Sequence, residues 1–124
     1  MDMTREPVGG VVVSHGGVLQ DHGGIAVEKL LDNVDLGQAT VGFAIYAAGA
    51  STGATAVTKP GMEFLQLLEG AIVAEVGGKE YAMAPGDSIC FPTTIPHRGW
   101  NPGTVTARAL YVNYVPATDP GRQV

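Results

Sequence analysis

Cysteine is almost absent from the 124-residue chain. Cys90 stands alone, so no disulfide framework and no cysteine-based metal cluster can form within it. Basic residues are scarce as well. Seven Lys and Arg face twelve Asp and Glu, for a formal net charge of −5. The seven are dispersed, which argues against a nucleic-acid partner and against an anionic membrane surface, since both need concentrated positive charge. No apolar run approaches the roughly 20 residues that span a bilayer. Residues 1–7 lack the basic and apolar regions of a signal peptide, so a cytoplasmic protein is expected. No segment combines a helical apolar period with caps, which leaves strands as the building element.

What is abundant points the same way. Eighteen glycines and eight prolines are scattered between apolar runs, as short strands joined by tight turns require. Nearly half the residues are apolar, and the length suits one domain with a genuine core. Residues 1–8 and 116–124 are polar and rich in Pro or Gly, and read as loose ends around a domain at 9–115. Strands are expected at 11–13, 25–31, 40–48, 62–69, 71–76, 79–83, 88–91 and 104–115, with loops at 32–38 and 92–96. Gly77-Gly78 reads as a two-residue hairpin turn, and Pro85-Gly86-Asp87 as another turn. In the last strand Val105, Ala107, Ala109 and Tyr111 alternate onto one face. About ten short strands at this spacing imply an all-β sandwich or barrel.

Two stretches are more specific. Glu63 is followed after six residues by Gly70. Gly86 is followed after five by Pro92, and then by His97 and Asn101. This pair of motifs resembles those of the cupin superfamily over roughly residues 40–115, with Thr94 in place of an internal glycine. The resemblance implies a double-stranded β-helix, or jelly-roll barrel, with Glu63 and His97 facing its interior. It also implies a metal, commonly held by a His-x-His pair together with the Glu and the second-motif His. The His-x-His positions here are Val57 and Lys59, so half that set is missing. Catalytic metal sites normally use three protein ligands and an open position, and Lys59 would arrive as a cation. No bound metal or other cofactor is therefore expected; if one were present, it would be a divalent ion at Glu63 and His97. A Lys59–Glu63 ion pair could fill the vacated space.

Each of these residues has a plainer reading beside the functional one. Glu63 could be a neutralised carboxylate at the barrel mouth, but in an apolar cavity it becomes an acid or base. A lone histidine is often only packed, yet His97 sits at a motif position and imidazole titrates near neutrality. Lys59 is either a solvated surface residue or the substitute for a metal ligand. Asn101 and Gly86 read as structural groups serving turns and strand ends. Val57, Tyr46, Phe43, Trp100 and Tyr111 are candidate pocket-lining residues, although aromatic residues on strands are more often core. Cys90 reads as a small buried hydrophobe.

Three functions from different classes follow. The first is a metal-independent lyase, isomerase or cyclase acting on a small metabolite. In it Glu63 and His97 shuttle protons and Lys59 stabilises developing negative charge. The second is a non-catalytic sensor module, as in the cupin domains fused to bacterial helix-turn-helix regulators. The third is a metal-dependent dioxygenase or isomerase completed by His15 or His22. The resemblance also implies a homodimer, and an uncovered strand edge near residues 11–13 would benefit from one.

Overall fold

Glycine fixes where the strands turn. Gly77 and Gly78 both have positive φ, 61° and 80°, which is what a two-residue hairpin between right-twisted strands demands. Gly70 has φ 81° and is doubly constrained, because a Cβ there would lie 2.8 Å from both the Ala107 Cα and the Thr106 carbonyl oxygen. Only glycine fits that crossing of chain segments.

The computed structural model describes residues 15, 17–32 and 37–116. Nine strands run through them: β1 Val18–Asp21, β2 Ile25–Asp32, β3 Gly37–Tyr46, β4 Met62–Glu69, β5 Ile72–Val76, β6 Lys79–Met83, β7 Ser88–Pro92, β8 His97–Trp100 and β9 Ala107–Pro116. They form two antiparallel sheets, one in the order β1-β2-β3-β9-β4-β7 and one in the order β6-β5-β8. Among the described residues there is no helix, and so none long and apolar enough to cross a membrane. The architecture is the expected all-β jelly-roll barrel.

Period-two alternation decides which side chains meet inside. On β4, Leu65 and Leu67 are buried, and on β9 Ala107, Ala109 and Tyr111 are. On β3, Ala44 and Tyr46 point inward, and Ile72 and Ala74 of β5 close the core from the smaller sheet. At one end of the barrel β4 and β9 bring polar residues into this inward series. Thr40, Asn113 and Glu63 lie side by side across β3, β9 and β4 in register.

The strand boundaries of 62–69 and 79–83 coincide with β4 and β6. Other expectations change. β1 is not among the expected strands; Val-Leu-Gln-Asp is too short to carry an apolar period, and it forms by pairing along β2. The strand expected at 40–48 runs Gly37–Tyr46, so the loop at 32–38 is shorter than expected. β9 begins at Ala107, and Val105, assigned to its inward face, is 64 % exposed in the loop before it. Cys90 is exposed rather than buried, because Ile89 and Phe91 take the inward positions of β7 and leave it on the outer face. The expected strand at 11–13 lies outside the described residues.

Candidate functional site

Gly61 (φ 113°) turns the chain into β4 beneath Tyr114, where a Cβ would strike the Tyr114 carbonyl oxygen at 2.5 Å. Two residues on, Glu63 enters the inward series of β4, ahead of Leu65 and Leu67. It lies across from Phe91 on β7 and Asn113 on β9. His97 opens β8 on the opposite sheet and forms a two-way backbone bridge with Val57, 2.9 Å in each direction. The Lys59 N–H donates to the Thr93 carbonyl at 2.9 Å, which pins the segment carrying Val57 and Lys59 against the mouth of the barrel.

Among the described residues, cavities of about 520 and 250 Å³ open inside the barrel. They share Tyr46, Thr52, Lys59, Glu63 and Leu65, so they are two lobes meeting at Glu63. The larger lobe adds polar groups from the open end, among them Gln20, His22, Lys29, Thr40, Ser51 and Asn113, together with Tyr111. The smaller adds Val57, Phe91, His97, Arg98 and Gly99 against Ile72 and Ala74. A pocket of this size and mixed lining suits a small organic molecule.

Burial pushes the Glu63 carboxyl above its ordinary range, while the positive charges of Lys59 and then His97 pull it back down. Burial dominates because water no longer solvates the carboxylate. Lys59 acts on it through space: among the described residues no ion pair joins the two, so the expected Lys59–Glu63 contact is not formed. Tyr46 is pushed up to about 12, by burial first and by the Glu63 charge second, so its hydroxyl stays a neutral donor.

His97 Nδ1 lies 2.9 Å from the Ile95 carbonyl oxygen. A carbonyl only accepts, so Nδ1 carries the hydrogen and Nε2 keeps the lone pair in the neutral ring. The ring tilts against Phe91, with centroids 5.2 Å apart, which fixes its plane.

The structure therefore brings together Glu63, His97, Lys59, Val57, Tyr46 and Tyr111 around the two lobes. Phe43 and Trp100 differ. Each takes the outward parity of its strand, and neither lines a lobe. Phe43 packs beneath the Arg108 guanidinium at 4.2 Å, and Trp100 beneath that of Arg98 at 4.6 Å. Arg98 is itself held by Glu75 through two hydrogen bonds of 3.2 and 3.3 Å. Asn101 is a clamp rather than a ligand group. Its buried amide donates to the carbonyls of Tyr46, Ala47 and Val105 and accepts from the Gly103 N–H.

Sequence reasoning missed Thr52 and Asn113. The signal for Asn113 was available, since continuing the inward series Ala107, Ala109, Tyr111 by two residues reaches it. Thr52 sits in the small-residue loop after β3, which carries no period to read.

The metal implied by the motifs finds a poor donor set. Among the described residues no group of three or more His, Cys, Asp or Glu side chains could hold an ion. His22 lines the rim of the larger lobe without joining Glu63 and His97, and His15 lines neither lobe. Two ligands beside a lysine ammonium do not fit a divalent cation.

Known proteins agree with the barrel. The cupin domain family matches residues 42–113. No curated protein matches the chain significantly. Among solved structures, one similar fold is the cupin domain of an XRE family transcriptional regulator from Enterobacter cloacae, at TM-score 0.69 and 16 % identity over 76 % of this chain and 99 % of that one. An RmlC-like cupin from Shewanella frigidimarina has TM-score 0.68 and 19 % identity over 86 % and 92 %. A cupin-superfamily sugar phosphate isomerase from Silicibacter pomeroyi has TM-score 0.62 and 28 % identity over 73 % of this chain and 59 % of that one. With its motif-bearing strands framing the pocket and the family match spanning both motifs, this chain belongs to the cupin domain family.

Proposed function

We propose that the protein is a metal-independent enzyme of lyase, isomerase or cyclase type, moving protons within a small metabolite. One observation carries this reading. Glu63, a carboxyl made more basic by burial, stands where the two lobes meet, and His97 faces the same space from the other sheet. A molecule spanning both lobes places its central atoms against both groups. In the proposed step the Glu63 carboxylate takes a proton from carbon next to a carbonyl, and the C–H pair moves into the carbonyl to give an enolate. Lys59, which lines both lobes with Glu63, supplies the positive charge that offsets it. His97 Nε2, whose lone pair first takes up a proton from solvent, delivers it to a neighbouring carbon for isomerisation, or to a departing hydroxyl for elimination, and the proton held by Glu63 returns to solvent. Tyr46, held neutral, donates a hydrogen bond and no charge. The similarity to an isomerase is compatible with this chemistry.

The test is incubation of the protein with a metabolite extract in D2O, with mass spectrometry to find any compound consumed or gaining deuterium. Turnover should survive dialysis against EDTA, and Glu63→Gln should remove it. Loss of turnover on chelation with recovery on adding a divalent metal would overturn the metal-independent reading. Binding without turnover or exchange of any compound would instead make the barrel a sensor module.

A further inference from the structure

The polar groups of the larger lobe are unequally satisfied, and the unmet ones describe a ligand. Lys59 lines both lobes with its side chain open to solvent; its charge acts on Glu63 through space, but among the described residues no carboxylate forms an ion pair with its ammonium. A cation at the junction of a ligand cavity calls for an oxyanion. Thr52 Oγ1 accepts from the Gly99 N–H at 3.0 Å. That bond uses one of the two lone pairs of this exposed hydroxyl and leaves its O–H to donate to water or to a ligand acceptor.

Asn113 gives the complementary demand. It lines the larger lobe, yet its Oδ1 is buried with no hydrogen-bond partner. An orphaned acceptor of this kind is rare in folded proteins. Asn113 sits in the lateral row with Thr40 and Glu63, so its amide adjoins the reacting carboxyl. The last torsion of asparagine is soft, so a turn of the amide presents Oδ1 to the lobe. Among the described residues Thr93 Oγ1 is the other orphan, but Thr93 lines neither lobe, so its case differs.

Oxyanion, acceptor and donor together specify hydroxyl groups on an anionic chain. We infer that the larger lobe takes a hydroxylated organic anion, its carboxylate or phosphate against Lys59 and a hydroxyl donating to Asn113. This rests on the reading of the barrel interior as a substrate pocket and names the substrate class.

A matched set of linear six-carbon probes separates the contributions. D-gluconate carries hydroxyls and a carboxylate, hexanoate the carboxylate alone, and sorbitol the hydroxyls alone. Sorbitol 6-phosphate replaces the carboxylate by phosphate. In calorimetric titration of the intact chain, gluconate or sorbitol 6-phosphate should bind at least about tenfold more tightly than both hexanoate and sorbitol, the effect of one unmet buried polar group. Whichever of the two anions binds better identifies the oxyanion. Lys59→Met should bring that anion down to the affinity of sorbitol. Asn113→Leu should erase its advantage over hexanoate, and Asn113→Thr, which keeps an acceptor, should restore part of it. Thermal unfolding of each variant confirms the fold.

Hexanoate or sorbitol binding as tightly as the hydroxylated anions, or none of the four binding, would overturn the inference. So would an advantage over hexanoate that persists in folded Asn113→Leu. The catalytic reading fails separately. Gluconate bound as expected with no turnover of any compound leaves the ligand class standing and removes the enzyme. Turnover of an uncharged compound does the reverse.

Discussion

Burial raises the Glu63 pKa, and Lys59 and His97 oppose it only in part. The folded protein thus holds the Glu63 proton more tightly than the unfolded chain does. Between the ordinary carboxylate value and the raised one, the native state binds more protons, so this residue's contribution to stability falls as pH rises through that window. Above it, an ionised carboxylate remains in a place that favours the neutral form. Glu63→Gln, which is always neutral, should therefore raise the melting temperature at pH 7 and leave it nearly unchanged at pH 4. Thermal denaturation at the two pH values checks this. An equal or lower melting temperature for the variant at pH 7 would mean that Lys59 and His97 outweigh burial. A gain at pH 7 would be the usual signature of a site that trades stability for chemistry.

At the scale of the elements, Asn101 ties three segments together. One amide group serves Tyr46 and Ala47 at the end of β3 and Val105 before β9, and its oxygen receives Gly103. Asn101→Ala would strand these groups at a position only 1 % exposed. The expected loss is on the order of 2–4 kcal/mol in urea denaturation, from several unmet buried hydrogen bonds. A loss below about 0.5 kcal/mol, the scale of ordinary surface changes, would show that water replaces the amide. Much at this scale was legible in the sequence. The glycine pair at 77–78 marked its hairpin, and the spacing from Glu63 to Gly70 marked β4 and its turn. β1 was not legible, because four residues with one inward apolar side chain carry no period, and their strand character comes from the β2 edge. Phe43 and Trp100 were named from residue type, while parity on β3 and β8 turned them outward under arginines. Parity on β9 reaches Asn113, but an inward polar residue breaks the apolar pattern by which that face is read.

For the whole molecule, the core joins the sheets that carry the site. Ile72 of the smaller sheet is 1 % exposed and Leu67 of the larger is fully buried. Ile72→Ala should cost about 2–5 kcal/mol, as large-to-small changes in a packed core do. If the variant unfolds in urea with a loss under 1 kcal/mol, the barrel has collapsed around the missing atoms, and the smaller lobe, which Ile72 lines, should shrink with it.

Glu63 and His97 stand on different sheets. Their separation is therefore set by how far apart the two walls of the barrel rest, a spacing to which core side chains outside both lobes, such as Leu67, contribute. Compression, heat or a methyl group removed from the core would all alter the reach from one group to the other. Tuning such a pocket is thus a matter of wall spacing as much as of the residues that line it.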